Sequence, residues 1–141
     1  VDDWYDIKLH YRDLNVCTKS SYLVRELGPR YILHGTLGSF IKHGLDPQEE
    51  ALKQGQESGG IDWGKESQEW WGLLNTEVNG TQRRVVVETR SGNYSAFYTD
   101  VYDCIVHHTH PPVKPEEALN VISIIEAAKR SNEEQRTISL K

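Results

Sequence analysis

Two glycines lie three residues apart in the stretch RYILHGTLGSFIKHGLDPQEEALKQG, which runs from Arg30 to Gly55. The segments RYILH and SFIKH on either side are short and alternate apolar with polar residues, which predicts two strands. The spacing of Gly35-Thr36-Leu37-Gly38 predicts a hairpin, whose glycines can take positive φ without a Cβ clash. Neither GxGxxG nor a P-loop motif is present, and no helix begins at these glycines. A hairpin is therefore favoured over a phosphate cradle.

The residues after this hairpin predict a short helix. Asp46 is a suitable N-cap, Pro47 suits the first helical position, and Glu49 stands where a capping box requires an acidic residue. The helix should end near Gly55, with Lys53 close to its negative end. Residues 55–69, GQESGGIDWGKESQE, are polar and glycine-rich, and they predict an exposed loop.

Further strands are predicted at the start and in the middle of the chain. In the opening segment Tyr5, Ile7, Leu9 and Tyr11 alternate with polar residues, and VCTKSSYLV forms the partner strand. Asn79-Gly80 between WWGLLNTEV and TQRRVVVETR is a strong signal for a type I′ hairpin turn.

Two longer helices and a last strand complete the prediction. One helix begins at Asn93 and the other spans about 115–130, and the chain closes with a strand at RTISL. Apolar residues that recur at helical spacing predict a buried stripe on each of these two helices. The stripe of the first helix is Tyr94, Phe97, Tyr98, Val101, Cys104 and Ile105. The stripe of the second is Ala118, Val121, Ile122, Ile125 and Ala128.

Antiparallel strand pairs followed by helices predict an α+β fold. Its open antiparallel β-sheet would have helices packed on one face and the other face available for oligomerisation. The 141 residues, of which 37% are hydrophobic, suffice for one α+β domain spanning 1–141 with a core of its own.

Charge and composition exclude several classes of protein. The formal net charge is −5 and no basic stripe is visible, which argues against nucleic-acid binding. No apolar run is long enough to span a bilayer, and the two cysteines form no CxxC pattern. We therefore expect a cytoplasmic protein. The absence of methionine and a start in a strand lead us to expect a piece of a longer protein.

Several residues could in principle carry chemistry. His107, His108 and His110 could bind zinc, but a helix end followed by a polar loop explains them as well. Asp100 and Asp103 could form an acid–base pair near His107 or lie on a solvated helix face.

Three other positions have similarly open interpretations. Cys104 is better explained as a buried small residue than as a nucleophile. Trp63, in the polar loop, is a candidate for a surface contact. Lys42 and His43 follow a strand at a loop mouth, where functional side chains concentrate. No complete catalytic set and no convincing metal set emerges from the residues.

The order of several motifs resembles one family over essentially the whole chain. HGTLGSF with GLDPQE, then WG, GNYSAFYTDVYDCIV, PPVKPEEALNVISIIEAAKRS and a final ISL are similar to the C-terminal domain of the Gfo/Idh/MocA oxidoreductases. The resemblance implies a parent enzyme whose N-terminal Rossmann domain binds NAD or NADP. The C-terminal domain of such an enzyme contributes to the pocket for a sugar or polyol substrate. It also commonly contributes to dimer or tetramer contacts through its sheet.

By the same resemblance, the cofactor site and the acid–base residues belong to a part not present here. The Rossmann glycine fingerprint, the Glu-Lys-Pro motif and the family's Asp…His helix pair are all missing from this sequence. We therefore assign no catalytic residue, no cofactor-binding residue and no metal ligand, and we expect the isolated domain to be inactive. Lys42 and Tyr94 are the candidate substrate-binding residues. The alternative is a free-standing, non-enzymatic module that homodimerises through its sheet.

Overall fold

The computed structural model describes residues 3–140, which form six β-strands and three α-helices. The strands are β1 (Trp4–His10), β2 (Asn15–Ser21), β3 (Tyr31–Gly35), β4 (Gly38–Lys42), β5 (Gly72–Val78) and β6 (Thr81–Val87). The helices are α1 (Gln48–Lys53), α2 (Tyr94–His107) and α3 (Pro115–Glu134). None of these helices has the length and apolar character needed to cross a membrane. The predicted α+β class with open antiparallel sheets is confirmed, although the strands form two sheets.

The chain divides into two compact units. The first comprises the residues up to Glu26 and those from Thr109 onward, and the second is Leu27–His108. The first unit contains the antiparallel pair β1–β2, in which Ile7 faces Thr18 and Leu9 faces Val16. This pair confirms the hairpin predicted from the alternating opening segment.

The predicted final strand at RTISL is wrong. Residues 137–140 have no regular structure, and the chain before them closes the end of α3. Gln135 takes the left-handed conformation, and the backbone N–H of Arg136 donates to the Ser131 carbonyl at 3.3 Å. The Ser131 hydroxyl in turn donates to the Arg136 carbonyl at 2.8 Å. These local bonds satisfy the backbone at the helix end without a sheet partner.

The apolar stripe predicted for α3 is not buried. Val121, Ile122 and Ile125 are 57%, 52% and 44% exposed. Of the predicted stripe, Ala128 does lie on the more covered face, where Ile124, Ala127 and Ala128 line a groove shared with β1. The larger side chains of the stripe are exposed, so their helical spacing indicated the wrong face.

The second unit contains a four-stranded antiparallel sheet in the order β3-β4-β5-β6. The predicted Gly35–Gly38 hairpin is confirmed, but neither glycine has positive φ. Gly38 is required by a close approach instead. A Cβ there would lie 2.7 Å from the Asn75 carbonyl oxygen and 2.8 Å from Thr76 Oγ1 on β5.

The turn between β5 and β6 matches its sequence signal. Asn79 and Gly80 have φ values of 52° and 73°, as a type I′ turn requires at both positions.

Each face of the four-stranded sheet carries an apolar row that crosses all four strands. Residues directly opposite each other on paired strands share a face, and successive residues along one strand face opposite sides. One row consists of Ile32, Ile41, Leu73 and Val86. The row on the other face consists of Leu33, Phe40, Leu74 and Val85.

Pro47, rather than the predicted Asp46, is the N-cap residue of α1, and the predicted capping box does not form, although Asp46 still bonds the first turn. Asp46 Oδ1 accepts the backbone N–H of Gln48 at 2.9 Å. Glu49 points along the helix to Lys53 at 2.7 Å rather than back to Asp46. The hydrogen bond and charge of Lys53 lower the pKa of the Glu49 carboxyl. An i,i+4 ion pair thus takes the carboxylate that the box would have used.

Helix α2 begins where the sequence places it. The Asn93 side chain caps it by accepting the backbone N–H of Ala96 at 3.1 Å.

The expectation of a hydrophobic core within the chain is not met, because no apolar side chain among residues 3–140 is fully buried. Many large apolar residues are exposed on sheet and helix faces, among them Ile32, Val86 and Val121.

Candidate functional site

Lys42 forms a buried ion pair at the end of β4. Its Nζ lies 2.6 Å from Glu66 Oε1, and it also donates to the His43 carbonyl. The two side chains are only 11% and 5% exposed. A buried pair of this kind requires good geometry and further hydrogen bonds, because both charges have lost their water.

The ion pair lines a small cavity in the second unit, with a volume of about 150 Å³. Two basic residues, Lys42 and Arg90, and two acidic residues, Asp46 and Glu66, lie in its wall. Apolar and neutral wall groups accompany them, and these are Tyr31, Gly44, Leu45, Pro47, Gly64, Thr89 and Gly92. The wall is balanced in charge and combines polar groups with an aromatic ring.

One wall of the cavity is held by a network centred on Gln48, which is 1% exposed. Its Nε2 donates to both carboxylate oxygens of Asp46, at 3.0 and 2.9 Å. Its Oε1 accepts from Trp63 Nε1 at 2.8 Å and from the backbone N–H of Tyr94 at 3.0 Å. Only this orientation of the amide gives each atom a complementary partner. Gln48 therefore ties together α1, the preceding cap, the polar loop and the start of α2.

Two glycines allow the backbone to pack against this network. The Gly92 N–H donates to the Gly64 carbonyl at 3.1 Å, which joins the polar loop to the segment before α2. A Cβ on Gly92 would collide with Asp46 Oδ2 and Gln48 Nε2. Glycine at this position is thus a steric requirement of the site.

The two predicted substrate-binding residues have different surroundings. Lys42 lines the cavity, whereas Tyr94 contributes its backbone N–H to the Gln48 network, and the residue as a whole is 44% exposed. The network connects their neighbourhoods through Asp46, which lines the cavity, but the Tyr94 side chain is not part of the cavity wall. Their binding role remains a prediction.

The polar loop 55–69 is mostly exposed, as its composition predicts, but Trp63, Gly64 and Glu66 are not. Glu66 is 7% exposed, and Trp63 is half-buried with its indole N–H donated to Gln48. Trp63, a candidate for a surface contact, thus uses its indole N–H within the chain and is not a fully exposed side chain. Glu66 and Thr89 were not candidates in the sequence, because nothing near them in the chain indicates Lys42 as a neighbour.

The remaining sequence candidates lie apart from this cavity. His107 ends α2 at 3.8 Å from Asp103, and His108 caps the helix in the left-handed conformation, while His110 belongs to the other unit. Within residues 3–140 no group of three metal-ligating side chains comes together. Cys104 is half-buried on α2.

The N-termini of α1 and α2 are poor sites for a dinucleotide pyrophosphate. At α2, Asn93 and Gln48 already accept the backbone N–H groups of Ala96 and Tyr94. At α1, Asp46 takes the Gln48 N–H and places a negative charge there. Gly35 and Gly38 belong to the β3–β4 hairpin rather than to a helix start. At the starts of α1 and α2, backbone N–H groups that could bind a pyrophosphate are therefore already used within the chain, which does not favour a nicotinamide dinucleotide there.

Comparison with known proteins gives a match along the chain. The profile of a family described as "Oxidoreductase family, C-terminal alpha/beta domain" matches residues 1–140. A curated relative from Bacillus subtilis, the scyllo-inositol 2-dehydrogenase (NADP(+)) IolW, is 36% identical over 98% of this chain and 38% of its own length.

Solved structures agree with this match. The structure of yvaA from Bacillus subtilis, provisionally described as an oxidoreductase, is 36% identical with a TM-score of 0.95, covering 99% of this chain and 41% of its own. An oxidoreductase from Bacillus cereus is 37% identical with a TM-score of 0.83, covering 92% of this chain and 39% of its own. The chain thus spans about two fifths of the length of the proteins that it matches.

Proposed function

The chain belongs to the Gfo/Idh/MocA oxidoreductase family, as a C-terminal α/β domain, and from this premise we propose that it is the substrate-binding and oligomerisation domain of an NAD(P)-dependent oxidoreductase that acts on a sugar or polyol by hydride transfer. The observation that carries the proposal is the 36% identity, over nearly the whole chain, to a relative named as an inositol dehydrogenase that uses NADP. A folded domain at this identity retains its architecture, whereas the substrate depends on particular side chains.

The division of labour in the proposal follows from the residues present. The nicotinamide cofactor, held by an N-terminal Rossmann domain, supplies the hydride chemistry. This chain supplies part of the substrate pocket, through the cavity beside Lys42 and Glu66. A buried, fixed lysine suits this task because its ammonium is already oriented by two oxygen partners and loses little freedom when a substrate binds.

The oligomerisation role is supported by the apolar rows of the four-stranded sheet. On one face Ile32 and Val86 are 50% and 59% exposed, and on the other Leu33 and Val85 are 61% and 44% exposed. Exposed apolar rows across a sheet favour coverage by another protein surface. We propose that one face of the sheet contacts a second subunit. We also propose that the N-terminal domain of the same protein is a further partner of this chain.

The test uses the complete protein that contains this chain. We expect NAD or NADP to be reduced when the purified protein is supplied with a panel of polyols and sugars, and at least one of them to support turnover. The isolated 141-residue chain is the matched control, and we expect it to show no turnover and no micromolar binding of NADH or NADPH by calorimetry. Micromolar binding of the dinucleotide to the isolated chain, or a complete protein that oxidises no member of the panel, would contradict the proposal.

A further inference from the structure

The turn between β5 and β6 presents an asparagine followed by a glycine at the tip of a hairpin. Asn79 and Gly80 are both exposed, and the antiparallel pair of Val78 and Thr81 closes the hairpin on either side of them. A Cβ added to Gly80 would meet nothing within 4 Å, and no backbone carbonyl of residues 3–140 accepts the Gly80 N–H. The Gly80 nitrogen therefore lies in open space, next in the chain to the side-chain amide of Asn79.

An asparagine side chain can react with the backbone that follows it. The nitrogen of the next residue gives up its proton and attacks Cγ of the asparagine. A new C–N bond closes a succinimide ring, and the side-chain nitrogen leaves as ammonia. Water then opens the ring at either of its two carbonyl carbons, which gives aspartate or isoaspartate. Glycine as the next residue favours the attack, because it has no Cβ to block the approach.

The backbone torsion ψ of the asparagine decides whether the ring can close. An L-residue brings its Cβ and the next nitrogen to the same side of the Cα–C bond at ψ of about −120°, the value at the first central residue of a type II′ turn. In a type I′ turn that residue has ψ of about +30°, which turns the nitrogen away. Both turn types have φ of about +60° at this residue, and Asn79 has 52°. A flip of the one peptide between Asn79 and Gly80 therefore converts the unreactive turn into the reactive one.

We propose that Asn79 is a site of spontaneous deamidation, which begins when the Asn79–Gly80 peptide flips from the type I′ into the type II′ turn. The strands need not separate, because both turns form two-residue hairpin loops and the closing pair of Val78 and Thr81 is the same in each. Gly80 follows the flip without strain, since glycine takes a negative φ as readily as the 73° that it has here. The reaction involves this turn alone and is independent of the proposed function.

The other asparagines lack this combination of features. Among the six asparagines of the chain, Asn79 alone precedes a glycine. Asn75 is exposed in β5 but precedes Thr76, whose branched Cβ hinders the attack. Asn132 is exposed in α3, where helical ψ keeps the next nitrogen away from the side chain. Asn75 and Asn132 are therefore internal comparisons of similar exposure.

The two products differ in their effect on the hairpin. Aspartate keeps the length of the loop, and Asp-Gly suits a type I′ turn as Asn-Gly does. Isoaspartate inserts one more carbon into the main chain of a two-residue loop, so the loop no longer matches the twist of β5 and β6. We therefore expect the isoaspartate form to lose hydrogen-exchange protection at the Val78–Thr81 end of the ladder, and the aspartate form to keep it.

The test stores the complete protein that contains this chain in neutral buffer and follows each asparagine by peptide mapping with mass spectrometry. We expect the amide of Asn79 to be lost about tenfold or more faster than those of Asn75 and Asn132. Hydroxylamine cleaves a chain at a succinimide, so it should cut the stored protein between Asn79 and Gly80. Asn79→Gly is the matched control, because Gly-Gly also suits the turn but cannot form the ring, and this variant should not be cut.

The same protein unfolded in urea measures the reaction without the turn. We expect the loss of the Asn79 amide to be faster in urea than in the folded protein, because the folded hairpin must first flip its central peptide. Asn79 should remain the fastest of the six sites in both conditions, since its glycine neighbour is the same.

Three outcomes would overturn the proposal. An Asn79 that stays intact in the folded protein while it converts in urea would show that the turn protects it. Conversion of Asn75 or Asn132 at the rate of Asn79 would show that exposure, and not the Asn-Gly turn, is responsible. Equal rates for Asn79 in folded and unfolded protein would refute the flip, since no rearrangement of the turn would then precede the reaction.

Discussion

The indole Nε1 of Trp63 donates to Oε1 of Gln48 at 2.8 Å, across 15 residues of sequence. Gln48 is 1% exposed, so the acceptor has no access to bulk water that could replace the indole. The bond fixes the second half of the polar loop against α1. The same loop supplies Glu66, the partner of Lys42. The position of the ion pair thus depends on a loop that the buried Gln48 and the hydrogen bond from Gly92 to Gly64 hold in place.

We predict that Trp63→Phe lowers the free energy of unfolding by about 0.5–1.5 kcal/mol, because it removes one of the two hydrogen bonds that the buried Gln48 oxygen accepts. Urea denaturation followed by circular dichroism measures the change. Trp70→Phe is the matched control, since Trp70 is 44% exposed and its indole makes no hydrogen bond within the described residues. Equal destabilisation by both variants would show that lost aromatic volume, and not the hydrogen bond, is responsible.

We predict that Lys42→Met lowers the free energy of unfolding by about 3–5 kcal/mol, because it leaves the Glu66 carboxylate buried without a counter-charge. The double variant Lys42→Met with Glu66→Leu should recover most of this loss, since neither charge then has to be buried. Lys53→Met, which breaks the exposed pair with Glu49, should change stability little. A double variant as unstable as the single one would mean that packing, and not charge, dominates at this position.

The fold elements that the sequence predicted correctly depend on local chemistry. The type I′ turn at Asn79-Gly80, the Asn93 cap of α2 and the β3–β4 hairpin each follow from residues that are near neighbours in the chain. The family resemblance rests on the order of such local motifs, and it is confirmed by the match over residues 1–140.

The elements that could not be predicted depend on distant partners. Glu66 lies 24 residues from Lys42, in a segment whose composition indicates solvent exposure, and only the folded chain brings the two together. Glycine is needed at Gly38 because β5, which comes much later in the sequence, leaves no room for a Cβ there. The stripe of α3 was misplaced for a related reason, since the face that a helix covers is decided by what lies opposite it and not by its own periodicity.

We predict that the carboxyl of Glu49 titrates below the usual glutamate range and that Lys53→Gln raises its pKa. Lys53 lowers the pKa of Glu49 first through a side-chain hydrogen bond and then through its charge. A carboxyl whose pKa is lower in the folded chain stabilises it above the unfolded pKa, and this contribution is lost as the pH falls through the folded value. NMR titration of the Glu49 side-chain carbon in both proteins measures the shift. Lys65→Gln, a change elsewhere on the surface, should leave it unaltered, and a Glu49 titration unaffected by Lys53→Gln would refute the pair.

We predict that Gly92→Ala destabilises the chain by about 1–3 kcal/mol, the usual cost of inserting a methyl group where there is no room. The added Cβ would displace the Asp46 carboxylate from the Gln48 amide. Because Gln48 also holds Trp63, the indole N–H resonance of Trp63 should shift in the NMR spectrum of the variant. Gly28→Ala is the matched control, since Gly28 has ordinary φ and nothing within 4 Å of its added Cβ. That variant should be neutral or slightly stabilising, because alanine restricts the unfolded chain. A Gly92 variant of unchanged stability, with the Trp63 resonance in place, would show that the network can move aside and does not fix the cavity wall.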